Sequence, residues 1–255
     1  AMASIGDDQV LLFGGGGPTN GETWVYDLSG NTWTEVATAG TPGTDKPTAL
    51  RQHEMAHLGG DQVLLFGGVD GGFNFNGETW VYDLSAGTWT EVAIDGAPDT
   101  DKPEARRIHA MAHLGGDKVL LFGGSTTGGY SSETWVYDFS DNTWSKMSPD
   151  SPPFARVLHA MAYRGAGQAL LFGGFNGDSR NDETWVYDLA ANTWNPQSPS
   201  SAPSARINHG MAYLGSDQVL LFGGYDGAND GETWIYAADI PFPIFDDGFE
   251  FDDSP

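Results

Sequence analysis

Short apolar runs closed by paired glycines set the rhythm of this chain. Leu-Leu-Phe-Gly-Gly stands at Leu11–Gly15, Leu64–Gly68, Leu120–Gly124, Leu170–Gly174 and Leu220–Gly224, a period of 50 to 56 residues. The same flanking pattern returns around each copy. His-x-Met-Ala comes before it, at His53, His109, His159 and His209. Glu-Thr-Trp comes after it, with Trp24, Trp80, Trp135, Trp185 and Trp234, and a second tryptophan follows nine residues later at Trp33, Trp89, Trp144 and Trp194. A fixed period of this length marks a repeat architecture, which decides the fold before any single element does.

Each unit reads as four short strands. Strand a is His-Ala-Met-Ala-Tyr/His-Leu-Gly, strand b Gln-Val-Leu-Leu-Phe-Gly-Gly, strand c Glu-Thr-Trp-Val-Tyr-Asp and strand d Thr-Trp-x-x-Val or a close variant. Strand b is apolar on both faces, as a sheet covered on both sides requires. Strand a alternates the small Ala110 and Ala112 with His109, Met111 and His113, and small side chains suit a crowded axis. Asp27, Asp83, Asp138 and Asp188 close strand c ahead of a turn. One unit cannot cover its own apolar faces, so units must stack on one another. The first tryptophan of each unit is therefore expected to be mostly buried between neighbours.

The double glycine ending strand b, the Tyr-Asp ending strand c and the tryptophan of strand d resemble the kelch repeat, over nearly the whole chain up to about Ala238. The resemblance implies an all-β protein, a five-bladed kelch β-propeller of four-stranded antiparallel blades. The blades are expected at about 1–38, 51–94, 107–148, 157–198 and 207–239, followed by an acidic and aromatic tail over 240–255. Kelch propellers mostly have six or seven blades, so five copies imply either a small ring or an incomplete chain. Ala1 falls inside strand a of blade 1. In blade 5, Ala237 replaces the turn aspartate and Pro243 stands where the second tryptophan belongs. The fourth strand of that blade is expected from the tail, or is absent. Pro241 and Pro243 are tolerable in an outermost strand. The segment Phe-Asp-Asp-Gly-Phe-Glu also resembles terminal signals of exported bacterial proteins, which makes sorting the alternative role for the tail.

Composition narrows the partners. The 255 residues include 35 acidic and 11 basic side chains, a formal net charge of −24. Such a surface repels nucleic acid and anionic membranes, and suits cationic or neutral partners or divalent cations. Cysteine is absent, which removes disulfides, thiolate metal sites and the cysteine-dependent chemistry of copper-oxidase kelch proteins. No run is long and apolar enough for a membrane helix. The resemblance to exported bacterial kelch proteins implies an extracellular or cell-surface location.

Strand direction alternates, so the b–c and d–a loops share one face of the propeller. These are the long and variable connections, where recognition is expected. The candidate ligand-binding residues are the loop aromatics Phe73, Phe75, Tyr130, Phe175 and Tyr225, with Arg106, Arg156 and Arg206 recurring ahead of strand a and Arg51 beside Leu50 at that place in blade 2. Aromatic rings among amides and carboxylates suit sugar stacking or peptide capture. The arginines suit a carboxylate partner, or else tie down their own loops. The four histidines recur once per blade, as scaffold residues do. No cofactor is expected, although the oxygens of Asp226–Glu232 and Asn176–Glu183 suit Ca²⁺ in kind. Glu54 is a lone inner-strand carboxylate, and no paired acid/base or nucleophile constellation accompanies it. The reading is a non-catalytic module binding a protein, peptide or glycan on the b–c/d–a loop face, as a monomer or with weak self-association through blade 5. A structural propeller that self-assembles is the alternative, and an enzyme acting on an acidic sugar is third.

Overall fold

The structure, a computed structural model, describes residues 1–6, 8–16, 20–36, 40–92 and 96–237. The expected tail over 240–255 lies outside the described residues. Every described regular element is a strand. Blade 1 comprises β1 (Met2–Ile5), β2 (Gln9–Gly15), β3 (Asn20–Asp27) and β4 (Thr32–Val36). Blade 2 comprises β5 (Glu54–Gly59), β6 (Gln62–Phe66), β7 (Thr79–Asp83) and β8 (Thr88–Glu91). Blade 3 runs β9 (Ala110–His113), β10 (Lys118–Phe122), β13 (Thr134–Asp138) and β14 (Thr143–Met147). Its b–c loop adds a small hairpin, β11 (Ser125–Thr126) with β12 (Gly129–Tyr130), that the repeat did not announce. Blade 4 comprises β15 (Ala160–Gly165), β16 (Gln168–Phe172), β17 (Thr184–Asp188) and β18 (Thr193–Gln197). Blade 5 has β19 (Gly210–Gly215), β20 (Gln218–Tyr225) and β21 (Asn229–Ala237). Each blade is an antiparallel meander in chain order, with four strands in the first four blades and three described strands in the fifth. The fold is a five-bladed β-propeller.

The two-residue period of strand b explains the stacking. In blade 3, Val119 and Leu121 point one way, with Met111, Trp135 and Tyr137, onto Ala56, Leu64, Phe66 and Val81 of blade 2. Leu120 and Phe122 point the other way, with Ala110, Ala112 and Val136, onto Met161, Leu171, Tyr187 and Trp194 of blade 4. Each such side chain stabilises the fold by roughly 1.5–3 kcal/mol when fully buried, so the core lies between blades rather than within them. The a strands line the axis and pack in succession, β1 on β5, β5 on β9, β9 on β15 and β15 on β19. No packing of comparable extent joins β19 to β1 among the described residues.

The first tryptophans correct one expectation. Trp80 and Trp135 are fully buried, whereas Trp24, Trp185 and Trp234 are half-buried. Among the described residues no neighbour covers the face of blade 1 that carries Trp24, beside the exposed Met2 and Trp33. Trp185 packs on the core between blades 3 and 4, and Trp234 lines the space between blades 4 and 5, each covered in part. The far face of blade 5, likewise without a described neighbour, exposes Leu214, Phe222 and Ile235.

Glu-Thr-Trp has a separate structural task for each residue. The tryptophan packs, and its indole N–H donates to the glutamate two residues earlier, as in Trp80 to Glu78 at 2.9 Å and Trp135 to Glu133 at 3.2 Å. The threonine hydroxyl accepts the indole N–H of the next blade's second tryptophan, Trp89 to Thr23 at 3.0 Å and Trp194 to Thr134 at 3.0 Å. The glycine pair answers a close approach. Gly123 has φ +71, and a Cβ there would lie 2.7 Å from the Arg156 carbonyl and 2.9 Å from the His159 ring. Only glycine accepts both the backbone angle and the neighbouring blade at that distance.

Candidate functional site

The face carrying the b–c and d–a loops is built in two layers. The inner layer surrounds the axis, where Gln52, His53, Glu54, Ile108, His109, Leu158, His159, Asn208 and His209 line a cavity of about 320 Å³. Gln52, Ile108, Leu158 and Asn208 all have positive φ, between 50 and 59°. For a β-branched residue such as Ile108 this is a costly conformation. A circumferential chain of hydrogen bonds compensates it. Ile108 N–H donates to Gln52 O at 2.9 Å, Leu158 N–H to Ile108 O and Asn208 N–H to Leu158 O, both at 3.2 Å.

Each histidine sets its ring edge-on to a phenylalanine of the preceding blade, as in His109 against Phe66 and His159 against Phe122, both at 5.7 Å. Burial, and then the nearby Arg106 and Arg156 charges respectively, hold His109 and His159 well below the usual imidazole range. Burial followed by Arg206 lowers His209 to about 4. The rings are thus neutral at pH 7 and join blade to blade. Among the described residues Glu54 is the single carboxylate lining the cavity, and burial pushes it up to about 7. At the opposite end of the channel, His57, His113, Tyr163 and Tyr213 stack in sequence with centroids 5.1 to 5.4 Å apart. The Nε2 atoms of His57 and His113 each lie 3.1 Å from a carbonyl of their own turn. Among the described residues no group of three or more His, Cys, Asp or Glu is arranged to hold a metal ion. Loop oxygens that suit Ca²⁺ in kind instead hold their own turns. Asp226 accepts from Ala228 N–H and Ser204 O–H, and Asn176 from Asp178 and Ser179 N–H.

The arginines expected to present a carboxylate site do not reach solvent. Arg106, Arg156 and Arg206 are 0% exposed. In Arg106, Nε donates to Glu104 O at 3.0 Å, one terminal nitrogen to Gly123 O at 3.0 Å and the other to Glu133 at 2.5 Å. Arg156 repeats this with Phe154 O, Gly173 O and Glu183, and Arg206 with Ser204 O, Gly223 O and Glu232. Each guanidinium therefore ties its d–a loop to strands b and c of its own blade. A carboxylate already occupies the fork an external anion would need. Burial alone would raise Glu133, but the ion pairs with Arg106 and Lys146 hold its carboxyl far below the usual range.

The outer layer holds the loop aromatics, and there the structure brings together residues the repeat kept apart. The Arg51 guanidinium lies 4.4 Å from the Phe73 ring centre, Arg107 5.4 Å from Phe75 and Arg180 5.3 Å from Tyr225. Tyr130 meets Phe175 edge-on at 6.4 Å. Phe73 is 66% exposed, Tyr130 and Tyr225 are exposed, and Phe75 and Phe175 are half-buried. Backbone pairing fixes this rim, because Arg51 pairs with Val69, Val69 with Phe75, Val157 with Phe175 and Ile207 with Tyr225. Arg107 also donates to Gln52 Oε1 at 3.1 Å, which links the rim to the axial cavity. Sequence reasoning missed Arg107 and Arg180. Arg107 shares its register with Arg51, two residues ahead of the strand-a histidine, where blades 4 and 5 carry Val157 and Ile207, and that recurrence was the available signal. Arg180 lies in the variable b–c loop of blade 4, where the repeat gives none.

Comparison with known proteins accords with this architecture. Residues 11–230 match the family model described as Attractin/LZTR1 beta-propeller. The chain is 35% identical over 147 residues to multiple epidermal growth factor-like domains protein 8 of Mus musculus. It is 28% identical over 144 residues to acyl-CoA-binding domain-containing protein 5 of Arabidopsis thaliana, and 30% over 144 residues to Kelch domain-containing protein 10 of Xenopus tropicalis. These alignments take in 53, 55 and 54% of this chain but 5, 21 and 33% of the relatives' own lengths. Kelch-type propellers are generally protein-interaction scaffolds rather than enzymes. With its blades, its glycine pairs and its matched residues all of this type, the chain belongs to the Attractin/LZTR1 β-propeller family.

Proposed function

We propose that the chain is a non-catalytic, extracellular or cell-surface binding module that takes a protein, peptide or glycan on its b–c/d–a loop face. The observation that carries this reading is the rim itself. Aromatic rings stand exposed beside arginines, in a protein whose net charge is −24, on a scaffold that fixes their backbones by pairing. Aromatics and arginines are the residue types that most often dominate binding energy. A partner offering carboxylates and flat apolar surface would engage both, and the buried arginines act by holding the loops in place. Peptide and glycan arrays probed with the chain and with a Phe73→Ala/Tyr225→Ala variant test it. Binding that falls at least tenfold at unchanged melting temperature supports the reading. Ligands that bind both proteins equally place recognition elsewhere.

A specific observation also favours self-assembly as a second reading. Among the described residues no neighbour covers the outer faces of blades 1 and 5, which display the same residue types that pack together at the internal junctions, with Trp33 46% and Phe222 56% exposed. Light scattering separates the two readings, because a Phe222→Asp substitution would dissolve such an assembly and leave rim binding intact.

A further inference from the structure

Between blades 4 and 5 a groove of about 360 Å³ runs beside the outer edge of β21. Phe172, Thr184, Met211, Leu221, Trp234 and Tyr236 are among its walls. β21 pairs with no further strand among the described residues. At the three preceding junctions the equivalent space holds an indole. Trp89 donates to Thr23 and packs on Phe13, Trp144 donates to Thr79 and packs on Phe66, and Trp194 donates to Thr134 and packs on Phe122. Thr184 and Phe172 are the next members of both series, and among the described residues no indole reaches either.

We propose that this groove is the berth of residues 238–255 of the same chain, which add a fourth strand to blade 5 and seat an apolar side chain from the stretch 242–245 over Thr184. Several observations select this occupant. The segment begins where β21 ends, and Ala237 itself lines the groove. In blades 1 to 4 the second tryptophan lies nine residues beyond the first, and nine residues beyond Trp234 is Pro243, flanked by Phe242, Ile244 and Phe245. Proline is accepted in the outer strands of this protein, since Pro196 lies in β18 opposite Trp185. The strand would also cover a sheet edge that otherwise invites association. It lacks the indole donor, so Thr184 receives no N–H and the fifth blade is closed less firmly than the others.

Two measurements test this. In the first, a chain ending at Ala237 should melt at a lower temperature, and acrylamide should quench its tryptophan fluorescence more strongly than that of the full chain. In the second, Pro243→Trp should raise the melting temperature by supplying the missing donor, and Thr184→Val should abolish that gain. The second stands even where the shortened chain fails to fold. A shortened chain indistinguishable from the parent overturns the proposal. So does a Pro243→Trp variant with no gain, or with a gain indifferent to Thr184→Val. A gain that appears only with rising protein concentration gives the groove to a second copy and equally overturns it.

Discussion

Trp144 donates its indole N–H to Thr79 Oγ1 at 3.1 Å, across the boundary between blades 3 and 2. The bond is buried, and its residues lie 65 positions apart in sequence. Thr79→Val keeps the shape and strands the indole N–H, a loss of about 1–3 kcal/mol. Trp144→Ala removes the ring too and should cost about 3–5 kcal/mol. The same truncation at the half-exposed Trp33 should cost less than either, because among the described residues no neighbouring blade covers it. Urea unfolding of the three variants checks the order.

Arg156→Ala should unfold the protein at much lower denaturant. It breaks the pair between a fully buried guanidinium and the partly exposed Glu183, and frees the carbonyls of Phe154 and Gly173. Each buried acceptor left unpaired costs about 1–3 kcal/mol. A variant as stable as the parent would show that the arginines are not the ties of the d–a loops.

Gly123→Ala should destabilise the chain, since a Cβ there collides with Arg156 O and His159. Gly231→Ala should be near neutral, because nothing lies within 4 Å of its added Cβ and its φ is not positive. Thermal melts of the pair separate a close approach from mere glycine content.

Acid should weaken the fold through the axial histidines. Burial lowers His53, His109, His159 and His209 in the folded chain, and the unfolded chain binds protons near the ordinary 6.5. The unfolded state therefore holds more protons below that pH. Stability is full above about 6.5 and falls as pH drops toward 4, by about 1.4 kcal/mol per pH unit for each proton. Glu54, raised to about 7, works in the opposite direction between 4.5 and 7, but as one group against four. Urea midpoints between pH 4 and 8 should rise with pH, and a flat profile would contradict neutral buried imidazoles.

Blade count, strand order and the inter-blade core were legible in the sequence because one unit, written five times, must bury both faces of Leu-Leu-Phe. The candidate site was less so. Arg106, Arg156 and Arg206 recur in register, which fits a ligand ring and a scaffold tie equally well. What separates the two is Glu133 or Glu183, more than 25 residues downstream, and that pairing is visible only once strand c lies beside strand a's loop. The rim pairs Arg107–Phe75 and Arg180–Tyr225 join different blades, so no local pattern could carry them. Half-burial of Trp24 followed from the missing packing between β19 and β1, which the repeat does not encode.

Among the described residues, blade 3 leans on neighbours at both sides, whereas blades 1 and 5 each lean on one. Stability in such an array is close to a sum over nearest-neighbour junctions. Loss of structure should therefore begin at the flanks and travel inward. Amide exchange should be slowest along β10 and β13, faster in β2 and β3, and fastest in β20 and β21. The protein would then respond to stress blade by blade, shedding its outer members while the middle of the b–c/d–a loop face still holds its form.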